Sequence, residues 1–268
     1  MNHLRLFSPA LLAVVVAIGC AGSKPQDASA EADKAAAPAA EQPAAPVTSA
    51  PGAQGSGSVT GMVKFEGTAP VQAKVKMNAD PICQQQHADP VLAEEVVVNS
   101  NNTLKNVFVY VKEGVNGSYP APTEPVVLAQ RGCWYSPHVF GIQVGQPLQI
   151  VNDDATLHNV NSKSKGKTNK PFNIAQPSKD MKTEKKFSEV EVLVPFKCNV
   201  HPWMHAFAGV VSNPFYAVTD ESGNFTIKGL PAGTYTIEAV QEKYGPQTQQ
   251  VTIGDGESKT AEFTFKAE

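Results

Sequence analysis

Long apolar runs are scarce in this sequence. The run LLAVVVAIG at residues 11–19 is too short to cross a bilayer as a stable helix. No helix-period hydrophobic pattern of useful length follows it, so the chain reads as all-β. Neither sign of charge dominates. The chain has 22 Lys and Arg against 25 Asp and Glu, a net −3, and so no strong pull toward nucleic acid. The signatures of hydrolytic enzymes are missing: no G-x-S-x-G, no H-E-x-x-H and no paired carboxylates in a suggestive context. A non-enzymic role is expected. Cysteine is sparse, four in 268 residues.

One of those four sits in the most informative stretch, FKCNVHPWMHAFAG, from Phe196 to Gly209. Cys198, His201 and Met204 are spaced there as C-x-x-H-x-x-M. His158 stands forty residues upstream in VNDDATLHNV. A thiolate, two imidazoles and a thioether suit copper cycling between Cu(I) and Cu(II). Sulfur favours Cu(I), and imidazole accepts either state. The bland alternative is a buried thiol with surface histidines. His205 beside Met204 reads as exposed or supporting, and His138 as a surface or packed histidine.

From about Pro125 to Asn213 the chain resembles the cupredoxins, the blue-copper electron carriers. GCWYSPHVFGIQVGQPLQIVNDDATLHNV is similar to the first half of such a domain, and VEVLVPF to the strand entering the ligand loop. The short loop is most similar to amicyanin. The resemblance implies one type 1 copper ion held by His158, Cys198, His201 and Met204, with Met204 the long axial ligand. It also implies that Asn159 braces the ligand loop and that the edge of His201 is partly exposed at the end of the molecule. Pro202 and Trp203 either form an apolar docking rim or, for Trp203, pack beneath the loop. A binuclear copper centre would need a second Cys in the loop, and Cys198 stands alone there.

Residues 1–20 end in AIGC and resemble a bacterial lipoprotein signal, with Cys20 as the lipidated residue. Ala17 departs from the more usual Leu or Val, and an ordinary secretory signal is the alternative. Either places the mature chain outside the cytoplasm, and Ala21 after the Cys implies the outer membrane. With Cys20 given to lipid and Cys198 to metal, an oxidising compartment favours pairing Cys83 with Cys133. Two free buried thiols are the alternative. Cys83, His87 and Cys133 could hold a second metal but lack an obvious fourth ligand.

Residues 21–57 are Ala-, Pro- and Ser-rich, with hardly any large apolar side chain, and read as a disordered tether. Order is expected from Ser58, with strands in SVTGMVKFEG, LAEEVVV and LKNVFVYV. Within 125–213 the expected strands are VVLAQ, FGIQV, PLQIVN, TEKKFS and VEVLVPF. Between the fourth of these and His158 lies a polar segment. Its Lys163, Lys165, Lys167, Lys170, Lys179 and Lys182 read as a solvated face. The C-terminal strands, with turns at Gly223 and at Pro231–Gly233, resemble the carboxypeptidase regulatory-like or transthyretin-like β-sandwich. GSVTGMVKFEG and NVFVYV resemble strands of the same module. The expected architecture is a cupredoxin-like Greek-key sandwich (125–213) inserted into a smaller sandwich made of 58–124 and 214–268. Two consecutive domains are the competing arrangement.

Two roles follow. One is a lipid-anchored copper protein that carries single electrons to an unidentified redox partner in the cell envelope. The other is a binding or structural β-sandwich lipoprotein, or a copper holder without redox traffic.

Overall fold

Among the described residues the regular structure is almost all β-strand, from alternating apolar residues set off by frequent Gly and Pro turns. The computed structural model describes residues 55–267. The signal segment, Cys20 and the tether up to residue 54 lie outside the described residues. The strands begin with β1 (Gly57–Glu66), β2 (Phe108–Glu113), β3 (Val126–Gln130), β4 (Tyr135–Ser136) and β5 (Val139–Gln143). Then come β6 (Leu148–Asn152), β7 (His158–Ser162), β8 (Asn173–Gln176), β9 (Lys182–Lys185) and β10 (Glu191–Lys197). The last are β11 (His205–Val211), β12 (Tyr216–Val218), β13 (Asn224–Leu230), β14 (Gly233–Gln241), β15 (Gly245–Ile253) and β16 (Ser258–Lys266). One five-residue helix, α1 (Pro81–Gln85), interrupts them.

Four sheets result. Two are built from the first two strands and the last five: β13-β1-β16 and β12-β2-β14-β15. They close over Val59, Val63, Phe65, Val109, Ile237, Phe263 and their neighbours. Val59, Val63 and Phe65 alternate along β1 toward this core, and Tyr235, Ile237 and Ala239 do so along β14. The other two sheets, β5-β11-β10-β7-β8 and β4-β3-β6-β9, come wholly from residues 139–211 and 126–185. Their core holds Leu128, Tyr135, Ile142, Leu148, Ile150, Val160 and Phe196, and it also takes in Cys198 and Met204.

All described residues fall in one compact unit. The two pairs of sheets meet where Phe108 and Tyr110 of β2 pack with Val139 and Val211. Gly209 on β11 and Gly141 on β5 make this possible. A Cβ at Gly209 would run into the Phe108 ring, and one at Gly141 into the Tyr216 ring.

Several local expectations are corrected. LAEEVVV forms no strand. Its ends make only single bridges, Leu92 to Lys74 and Val98 to Leu104, while Val96 between them is buried in the core. In LKNVFVYV the strand starts only at Phe108, because Asn106 adopts a left-handed backbone at φ 64° that no ladder accommodates. The lysine-rich polar segment contains a strand, β8, paired with β7. TEKKFS is ordered as β9 only through Lys185.

Candidate metal centre

The ends of three neighbouring strands carry the expected donors. His158 opens β7 after a turn at 153–157. Cys198 follows the last residue of β10, and Met204 precedes the first of β11. The connecting loop folds tightly on itself. Cys198 N–H donates to the Met204 carbonyl (3.2 Å), Met204 N–H to the His201 carbonyl (3.0 Å), and His201 N–H to the Cys198 sulfur (3.3 Å). Asn159 braces the loop by accepting from Asn199 N–H at 2.7 Å and from the Cys198 thiol at 3.4 Å. Its own carbonyl accepts from the Tyr135 hydroxyl.

His158, Cys198, His201 and Met204 are all buried, none more than 2% exposed. Donor atoms of His158, Cys198 and His201 lie within 4.8 Å of one another. The two Nδ1 atoms face each other at 2.9 Å, and the Cys198 sulfur is 3.8 Å from His201 Nδ1.

Each imidazole is held from behind by a carboxylate. His158 Nε2 lies 2.9 Å from Asp154, and His201 Nε2 lies 3.0 Å from Asp80. A carboxylate at Nε2 keeps the proton there and turns a bare Nδ1 inward. Two bare nitrogens and a thiol sulfur then converge, an arrangement that repels itself unless a cation or proton sits between. The residues present therefore fit a soft or borderline metal ion.

The electrostatics agree. Burial pushes the Cys198 thiol up, but hydrogen bonding from His158 and His201, made when a proton rather than a cation sits among the inward nitrogens, outweighs it and brings the group down to about 5. Such a group is a thiolate at neutral pH, the form that ligates metal. Burial also disfavours charge on Asp154. Hydrogen bonds from His158 and from the N–H groups of Cys133 and Gly132 outweigh it and hold the carboxyl below the usual range.

Asp80 belongs to a strap that sequence reasoning left outside the site. It caps α1, accepting from Ile82 N–H (2.9 Å) and Cys83 N–H (3.4 Å) through one oxygen. Its other oxygen takes Thr156 and His201. Cys83 in α1 is disulfide-bonded to Cys133 and lies 3.5 Å from His201 Nε2. The expected exposure of His201 is corrected here: the ring is 2% exposed, because this strap lies over its outer edge. Trp203 packs on His201 with ring centroids 5.1 Å apart and donates to the Cys133 carbonyl, while Pro202 is exposed.

The remaining candidates lie elsewhere. His205 is exposed, and its carbonyl contacts His138, which is buried against Glu242 at 2.9 Å. His87 contacts the Gly132 carbonyl rather than the cysteine sulfurs. The six lysines of the polar segment are exposed. Asp154 was within reach of the sequence, four residues before His158. Asp80 carried no such signal, being 121 residues from His201.

Residues 209–266 match the carboxypeptidase regulatory-like domain family. Over 60 residues the chain is 38% identical to "Structural protein 27" of a virus (isolate Australia/Victoria), covering 22% of this chain and 12% of that protein. Among solved structures, the copper-containing nitrite reductase of Thermus scotoductus SA-01 aligns at 20% identity and a TM-score of 0.30, over 36% of this chain and 24% of that one. Amicyanin from Paracoccus versutus aligns at 23% identity and a TM-score of 0.29, over 38% of this chain and 96% of that one. The chain thus spans about a quarter of the nitrite reductase and about an eighth of the viral protein. It is an all-β protein whose last strands match the carboxypeptidase regulatory-like family and whose structural likenesses include cupredoxins.

Proposed function

We propose that this chain binds one copper ion through His158, Cys198, His201 and Met204 and passes single electrons to a partner protein in the bacterial cell envelope. The observation that carries the reading is the convergence of two inward-facing Nδ1 atoms on a thiolate, with both Nε2 atoms tied to carboxylates. Copper would supply a one-electron couple there. The chain's residues would supply a fixed, water-free set of donors, so that little moves as charge changes. The N-terminal pattern ending at Cys20 supports export and a lipid anchor, and no enzymic reaction is assigned. The pairing of β1 and β2 with the C-terminal strands supports reading 125–213 as an insertion in a split sandwich.

Visible absorption of the full chain after addition of one equivalent of Cu(II) tests the reading. An intense thiolate-to-copper band that Cys198→Ser abolishes is the expected result. A colourless chain that loses copper on dialysis overturns it. Copper holding without electron traffic is a second reading, favoured by the covered edge of His201. Retained copper with very slow electron exchange would select it.

A further inference from the structure

His201 has a second set of neighbours on its far side. Whereas Cys198 approaches Nδ1, the sulfurs of Cys83 and Cys133 cluster with His201 within 4.8 Å, all three residues buried. Cys83 Sγ lies 3.5 Å and Asp80 Oδ2 3.0 Å from Nε2. Metal–sulfur and metal–nitrogen bonds of a tetrahedral zinc site imply donor–donor edges of about 3.3–3.8 Å. The sulfur edge, at 3.5 Å, already has that spacing, and the carboxylate edge, at 3.0 Å, is shorter by a few tenths of an ångström. The sulfurs need only part, as they do when their bond opens.

The two tautomers of His201 have different uses. With the proton on Nε2, the ring donates to Asp80 and offers Nδ1 to Cys198 and His158. With the proton on Nδ1, it donates to the bare Nδ1 of His158 at 2.9 Å and offers Nε2 to Cys83, Cys133 and Asp80. His158 keeps its bond to Asp154 in both arrangements.

We propose that the dithiol form of this chain holds one Zn(II) or Cu(I) ion through Cys83, Cys133, His201 Nε2 and Asp80, a position alternative to the one at Cys198. A neutral imidazole has one lone pair to give, so filling either position withdraws His201 from the other. The newly made chain carries the thiols already. From the disulfide form, a protein dithiol supplies two electrons and two protons and leaves as its own disulfide. Binding of the cation then displaces the two thiol protons. The competition rests on the copper reading above. The second position does not, since Cys198 takes no part in it.

The test uses the full chain carrying Cys198→Ser, in disulfide form and in dithiol form freed of reductant under argon, titrated with Co(II) as a spectroscopic stand-in for zinc. The dithiol form should take up one Co(II) per chain with thiolate-to-cobalt charge-transfer absorption. The disulfide form should show none. Cys133→Ser should abolish the band, and Asp80→Asn should weaken uptake at least about tenfold, as changes around metal ligands do. A dithiol form whose cobalt spectrum matches that of the disulfide form overturns the proposal. If opening the bond unfolds the chain, near-UV circular dichroism of Trp134 and Trp203 reports it. Recovery on adding Co(II) supports the site, and failure to recover overturns it. A chain with Cys198 intact that stays colourless with copper would sink the electron-carrier reading while leaving this result unchanged.

Discussion

At the scale of single residues, the centre depends on two carboxylates as much as on its donors. Asp80 and Asp154 set which nitrogen of each histidine faces inward. Asp80→Asn keeps an oxygen to cap α1 but removes the charge behind His201. Copper affinity should fall about ten- to hundredfold, measured by competition with a chelator, with the visible band retained. Unchanged affinity would show that Asp80 serves only the helix. Glu191 gives a separate, pH-dependent case. Burial would raise its pKa, but Lys165 N–H, Ser164, Asn169 and Gly166 N–H donate to it and hold it below the ordinary 4.5. The stabilisation is therefore complete above about pH 4.5 and is lost as pH falls through the lower folded value. Protection of the Lys165 and Gly166 amides, taken relative to their intrinsic exchange rates, should fall over that acid range, and Glu191→Gln should remove this change in protection. The proposed donors stand out in the sequence because each is a rare chemical type at a tell-tale spacing. The carboxylates were not, since an Asp looks alike whether it caps a helix, turns a loop or orients an imidazole.

At the scale of elements, the strap around α1 is the decisive addition. Its closure depends on the Cys83–Cys133 bond, which spans a sequence separation of 50 residues. A loop of that length corresponds to about 4 kcal/mol of chain-entropy stabilisation. Replacing both cysteines by Ala should lower unfolding free energy by up to that amount in denaturant titration. Solvent exchange at the His201 ring should quicken in the same variant. Strands β1, β3, β5, β6, β10 and β14 were readable from alternation and β-branched content. LAEEVVV misled because its valines satisfy a composition rule although they make only isolated bonds, Val98 bridging Leu104 and the Val97 carbonyl accepting from Lys105 N–H. The strand β8 escaped notice because Asn173 and Ala175 are exposed and Gln176 is a buried amide, so no apolar alternation marks it.

At the scale of the molecule, two pairs of sheets are joined through aromatic rings laid on glycines. Gly209→Ala must push Phe108 aside, and Gly141→Ala must push Tyr216. Each should cost about 1–3 kcal/mol of stability, the usual range for overpacking, seen as a lower denaturation midpoint with an unchanged slope. A midpoint shift confined to one sheet pair's signals would show that the two fold independently. The glycines stand inside recognisable strands, but their reason for being glycine lies in β2 and β12, far away in sequence.

The first described strand is also the central strand of its sheet. β1 runs parallel to β16 over nine register pairs, from Ser58 to Glu66, and antiparallel to β13 over six. A force drawing residue 57 away from the body acts along β1. It must slide that strand lengthwise past both neighbours, breaking many hydrogen bonds together rather than one after another. A head tugged from this end would resist as a shear joint does, and the loops of the proposed metal centre, carried on other sheets, would stay out of the line of load.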